Sequence, residues 1–107
     1  MLLEVHIVTG RGLNDREHWA VRKKRVKAEK EAVAWTLSNK PKPALPCVIR
    51  LTRVAPSNGL DDDNLVGALK AVRDAVADWI GVDDKKREVV RYEYRQERGK
   101  WAVLISV

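Results

Sequence analysis

Three consecutive aspartates and an asparagine, Asp61, Asp62, Asp63 and Asn64 in the stretch GLDDDNLVGALK, are the residues of this 107-residue chain best suited to chemistry. On an extended segment Asp61 and Asp63 share one side, about 6.6 Å apart, and Asp62 faces the other way. Two full charges at that distance repel by roughly 0.6 kcal/mol in water and about 2.5 kcal/mol at an effective dielectric of 20. A helix start returns about 0.3–1 kcal/mol for a nearby carboxylate. That offsets the repulsion in a solvated cluster but not in a partly buried one, which needs a cation. Two readings follow: a polar loop capped by Asp63 or Asn64, or a site for a hard divalent ion. A second acidic pair, Asp83–Asp84, lies beyond the next helical segment. A helix of that length spans about 24 Å, so the two groups meet only if the chain doubles back after Gly81.

Other chemistries fail on spacing. A calcium loop counted from Asp61 would place Leu65 at its fifth position and Val72 at its twelfth, where oxygen ligands are required. No glycine-rich phosphate loop of the Walker type and no Cys/His zinc spacing occurs, and His6 and His18 lack a partner pattern. The single Cys47 sits in an apolar run and reads as an inert, buried thiol. No run of 18 apolar residues and no secretory leader is evident, so a cytoplasmic protein that does not enter the membrane is expected.

The net charge is +6, and residues 11–30 hold eight Lys and Arg against three acids. Such a segment suits a polyanion, phosphate above all, or is simply a solvated helix face.

The elements that must position these groups follow from periodicity. LLEVHIVT alternates as a strand over residues 2–9, with Leu3, Val5 and Ile7 on one face. A helix from about Arg16 to Leu37, capped by Asn14 or Asp15, puts Trp19, Val26, Val33 and Leu37 near one stripe. SNKPKP stops it. PCVIRLTRV forms a second strand over 46–54. Leu65, Leu69, Val72, Val76 and Trp79 or Ile80 recur at helical spacing over 65–80, and Gly81 ends that helix. REVVRYEYRQ and WAVLISV alternate as two last strands joined by ERGK. The order β-α-β-α-β-β predicts a single α+β domain over 1–107, a small mixed sheet with two packed helices.

These residues resemble the RusA-like Holliday junction resolvases of phages and prophages. The likeness rests on Asp61, Asp63 and Asn64 in the order D-x-D-N, on Lys70, Asp74 and Gly81, and on the spaced pair Asp83–Asp84. LNDREHW after the first strand is similar to the family's Asn-Arg-aromatic segment, with Asn14, Arg16 and Trp19 in those places. The element order agrees over nearly the whole chain. The resemblance implies a homodimeric, Mg²⁺-dependent endonuclease that nicks two strands of a four-way DNA junction symmetrically. It implies metal carboxylates at Asp61, Asp63 and Asp84, brought together by the family fold. Mn²⁺ can replace Mg²⁺ in such an oxygen site.

One departure matters. The family usually has its lysine three residues after the asparagine, where this chain has Gly67; Lys70 stands six after Asn64, as a three-residue insertion would place it. On a continuous helix Lys70 falls within about 20° of the face of Asp63, so it is retained as a catalytic group. Lys23, Lys24 and Lys27, with Asn14 and Arg16, are the expected DNA contacts. The alternative is a junction-binding module of phage origin that does not cleave. The terminal strand, with Trp101, Val103, Ile105 and Val107 alternating, is either a core strand or a surface for pairing across a two-fold axis.

Overall fold

A computed structural model describes residues 1–10, 18–82, 86 and 88–107. The chain forms β1 (Leu2–Val5), α1 (Trp19–Leu37), β2 (Cys47–Ala55), α2 (Asp62–Ala68), α3 (Lys70–Ile80), β3 (Val90–Arg98) and β4 (Ala102–Ser106). Among the described residues, four strands make one mixed sheet in the order β1-β4-β2-β3. β2 and β3 run parallel, from Cys47 beside Val90 to Ala55 beside Arg98, while β4 is antiparallel to both β1 and β2. This is the expected α+β fold with a small mixed sheet, but its described residues form three helices in place of two.

The core lies between the sheet and the helices. Ile49 and Leu51 of β2 and Val103 and Ile105 of β4 meet Val33 and Leu37 of α1 and Leu69, Val72 and Val76 of the second helical region, all without solvent exposure. Alternate residues of each strand point one way, which explains why the period-two runs mark the buried face. Burial of each such aliphatic side chain contributes about 1.5–3 kcal/mol.

Several boundaries differ from expectation for local reasons. β1 stops at Val5 because the Ile7 N–H turns back to the Val5 carbonyl at 3.1 Å. α1 begins at Trp19, where the His18 Nδ1 accepts the Ala20 N–H at 3.2 Å; the expected caps Asn14 and Asp15 lie outside the described residues. Trp19 is 72% exposed and does not join the core stripe. The second helical region starts earlier than expected, at Asp62, and breaks at Leu69. There φ −98° and ψ 4° leave helical geometry, and the buried Leu69 side chain takes one anchor position in the core.

The terminal strand is interior. β4 pairs on both sides, with β1 and with β2, so it presents no edge for strand pairing across a two-fold axis. Beside it, Arg53 is 2% exposed, donates Nε–H to the Thr9 hydroxyl at 3.2 Å and stacks 5.4 Å from the Trp101 ring. Burial pulls its guanidinium below the usual range. Cys47, expected to be buried, is half-buried instead, and what burial it has raises its thiol. No helix among the described residues is long and apolar enough to cross a membrane.

Gly81 closes α3 in the left-handed region, at φ 83°, with its N–H donating to the Ala77 carbonyl. A side chain there meets no neighbour, so the penalty is purely conformational. Gly81→Ala is expected to lower stability by about 1 kcal/mol, read as a fall in the urea midpoint with the slope unchanged.

Candidate nucleic-acid and metal site

β2 leaves the sheet at Ala55, and the following loop is pinned by one side chain. Gln96 of β3 accepts the Leu60 N–H at 2.8 Å and donates its amide to the Leu60 carbonyl at 2.7 Å. Gly59 lies so close that a Cβ would stand 3.0 Å from the Gln96 side chain. The glycine and the glutamine together fix where the aspartates begin.

Asp61 is the N-cap of α2, a residue of the expected type but two positions early. Its backbone is extended, its carboxylate accepts the Asn64 N–H at 2.9 Å, and its carbonyl accepts the first helical N–H, from Leu65, at 2.8 Å. Asp62 and Asp63 occupy the first turn and are exposed, as is Asp61. The alternation expected of an extended run therefore does not hold: after Asp61 the chain is helical, and Asp62 is not singled out by facing away. Capping and first-turn placement balance the mutual repulsion without burial. One oxygen of Asp61 and the carboxylates of Asp62 and Asp63 remain open to solvent-side ligands.

Asp63 precedes Gly67 by one helical turn and shares its face. Gly67 opens into a groove of about 350 Å³ between α1 and the second helical region, lined also by Gly10, Arg22, Arg25, Glu29, Lys30, Lys70 and Asp74. Four cations face two acids there. Lys70 is exposed at the start of α3. The break at Leu69 removes the continuous-helix geometry that would have put Lys70 over Asp63; Lys70 lines the groove and Asp63 does not.

The groove is built around an ion pair. Glu29 is 2% exposed, and its Oε1 accepts Arg25 Nη1–H at 3.1 Å, one turn earlier on α1. A buried carboxylate is costly unless paired, so Arg25 is held in place. The Gly10 backbone lies over the same guanidinium: a Cβ at position 10 would stand 2.7 to 2.9 Å from it. Lys30 reaches across to Asp74 at 4.0 Å, a partly exposed contact worth little by itself.

Of the expected site residues, Lys70 lines this groove, while Asp61 and Asp63 stand at the start of α2 outside its lining. Asp84, Asn14 and Arg16 lie outside the described residues. The nearest described neighbours of Asp84 are Val82 and Lys86, and the Lys86 carbonyl is tied to the N–H groups of Val89 and Val90 at the start of β3. Leu60 is tied six positions further along that strand, about 20 Å at strand rise. Among the described residues no group of three or more His, Cys, Asp or Glu side chains gathers to hold a metal ion. Lys23, Lys24 and Lys27 are exposed on α1 and do not line the groove. Arg22, Arg25 and Lys30 do. Nothing in a linear run of basic residues separates these two sets until the helix is docked. Gly10, Glu29 and Gln96 were likewise silent in the sequence.

No protein-family model matches the chain, and comparison with curated proteins gives no match.

The capping role of Asp61 separates it from its neighbours. Asp61→Ala is expected to cost about 1 kcal/mol through loss of the Asn64 N–H partner, whereas Asp62→Asn and Asp63→Asn stay within about 0.5 kcal/mol. Thermal or urea melts of the three variants check this ranking.

Proposed function

We propose that the protein is a Mg²⁺-dependent endonuclease acting on branched DNA in the cytoplasm, with four-way junctions as the substrate and paired nicks as the outcome. The observation that carries the reading is the juxtaposition of two unlike sets of groups. Exposed Asp63, in the first turn of α2, precedes by one turn Gly67, which lines a groove bearing Arg22, Arg25, Lys30 and Lys70. Cations alone would serve any polyanion, and carboxylates alone would cap a helix. Side by side they suit a phosphodiester: the cations draw in the backbone, and the oxygens give a hard metal ion its ligands. The resemblance of the D-x-D-N stretch, Lys70 and the D-D pair to the RusA-like resolvases supports the same chemistry.

Asp61 and Asp63 fit such an ion in donor type and in exposure; the resemblance implies Asp84 as a third ligand, although Lys86, two residues on, is tied to the opposite end of β3 from Leu60. When bound, Mg²⁺ supplies Lewis acidity at the scissile phosphate and favours deprotonation of an attacking water. The chain's own residues do the rest. Arg25, fixed by Glu29 and Gly10, presents a planar donor to a phosphate oxygen. Lys70, on a flexible stem, balances charge as it develops on the phosphoryl oxygens. Lys23 and Lys27, exposed on the same helix, extend the positive field along a DNA arm.

A second reading, a binding module that does not cleave, draws on the displaced lysine. It shares the groove but assigns the aspartates only to the helix cap.

A synthetic four-way junction separates the two. With Mg²⁺ present, the wild-type chain is expected to nick it in symmetry-related strands. Asp63→Asn is expected to reduce nicking by more than about 100-fold, beyond the 10–100-fold typical of groups that merely support a metal ligand. Binding of the junction should hold or tighten in that variant as repulsion from phosphate is relieved, and Asp84→Asn should behave alike. Binding without nicking in the wild type, under Mg²⁺ and Mn²⁺, would select the module instead.

The groove makes a separate prediction for affinity. Arg22→Ala with Arg25→Ala is expected to weaken junction binding for all sequences. The slope of log affinity against log salt should fall by about 0.9 for each duplex phosphate that is no longer neutralised. Lys70→Ala should lower nicking more than binding. An unchanged salt slope in the double arginine variant would remove the groove from the DNA interface.

A further inference from the structure

Arg53 carries a charge that the fold does not balance. It projects from the same face of β2 as Ile49 and Leu51, and only 2% of it is exposed. One of the five N–H donors of its guanidinium, on Nε, goes to the Thr9 hydroxyl, and the group stands 5.4 Å from the Trp101 ring. Among the described residues no carboxylate pairs with it, and burial pulls it below the ordinary range. The partly buried Arg25 and Arg73 differ, since they have carboxylate partners in Glu29 and Asp74. A buried charge without a counter-charge is costly.

Arg53 opens into a hollow of about 270 Å³ at the carboxyl ends of β2 and β3, lined also by Ser57, Asn58, Gly59, Glu97 and Arg98. Open α/β sheets hold their ligands at this end of parallel strands. The hollow is preformed, because Gln96 grips both backbone groups of Leu60 and so fixes the end of the loop carrying Ser57 and Asn58. We propose that this hollow binds the phosphate of a phosphomonoester, with Arg53 as the principal donor. Arg53 and Arg98 against Glu97 leave one positive charge in excess, and the Ser57 hydroxyl and Asn58 amide add neutral donors. Thr9 holds Nε, so the edge formed by the two Nη nitrogens is left for the ligand. Parallel N–H groups on that edge match two phosphate oxygens.

The alternatives fit less well. Water in the hollow would satisfy the Nη nitrogens but leave the charge unbalanced. A diester within a duplex arm carries sugar on both sides and a single charge, whereas Arg53 lies below the surface. A monoester ends in its phosphate, bears about −1.5 to −2 charge at pH 7 and enters end-on. The hollow is also smaller than the roughly 300–1,000 Å³ of pockets that take a whole small molecule. That suits a terminal group whose carrier stays outside. Two sources share this chemistry, a free phosphomonoester of low mass and the phosphorylated end of a DNA strand. The first is independent of the nuclease reading. The second would join it, since Gly59 lies two residues before Asp61.

Isothermal titration at constant ionic strength, without Mg²⁺, tests the pocket apart from any cleavage. Thymidine 5′-monophosphate is expected to bind at one site per chain and to raise the melting temperature, and thymidine to do neither. Arg53→Lys keeps the charge but loses the planar fork. It should weaken the monophosphate at least about tenfold, the worth of one hydrogen bond to a charged group. Arg98→Ala should weaken it too; Arg98 is exposed, so this variant stays folded and carries the test if Arg53→Lys does not. A single-stranded oligonucleotide with and without a 5′-phosphate separates the sources. Tighter binding of the phosphorylated strand, lost in the variants, assigns the pocket to strand ends. Equal binding of the two strands, with the monophosphate still bound, assigns it to a free phosphomonoester. No preference for either phosphorylated probe over its unphosphorylated form overturns the inference. So does binding that Arg53→Lys and Arg98→Ala leave unchanged.

Discussion

The parallel pairing of β2 with β3 is the constraint on which the rest of the structure depends. Parallel neighbours cannot be joined by a tight turn, so the chain must leave one end of the sheet and return to the other. That return is α2 and α3, and it fixes three things together. The aspartates begin where β2 exits, beside Ala55 and Gln96. The helical return lies on the same side of the sheet as α1 and closes the core over Ile49 and Leu51. Between the helices it leaves the groove that Lys70 enters from one wall and Arg22 and Arg25 from the other.

Electrostatics then shape the surface that this topology creates. Repulsion among three adjacent carboxylates is handled locally, by the helix start and by solvent, so the cluster needs no burial to persist. The groove uses the opposite strategy. Its key cation is immobilised by a buried partner, Glu29, and by the bare backbone of Gly10. A guanidinium held in that way loses less freedom on meeting an anion than one swinging free, which is the physical meaning of preorganisation. The exposed lysines of α1 lack such support and act through the field.

α1 is the element where these demands compete. It supplies one wall of the core through Val33 and Leu37, one wall of the groove through Arg22, Arg25 and Lys30, and a third face with Val21 and Trp35. No single amphipathic stripe can serve three surfaces. That explains why its apolar residues are spread around the helix, whereas those of α3 gather on one side as Val72, Val76 and Ile80.

The fold class was legible because strands and helices advertise themselves through periods of two and 3.6. Ile49, Leu51, Val103 and Ile105 alternate, Leu65, Leu69, Val72 and Val76 recur by turns, and these residues form the core. The aspartate cluster was equally plain, since charge density needs no fold to be seen. Three other features had to wait for the tertiary structure. The break at Leu69 leaves no mark in the periodicity, because Leu65, Leu69, Val72 and Val76 fit an unbroken helix equally well. Burial of Glu29 against Arg25 is a pairing among many that a charged helix allows, selected only when Gly10 covers it. The interior place of β4 depends on strand order, and alternation in a strand records which face is buried but not which neighbours it has. Local composition determined what each segment is; long-range packing decided what each segment stands beside, and the candidate site is made of neighbours.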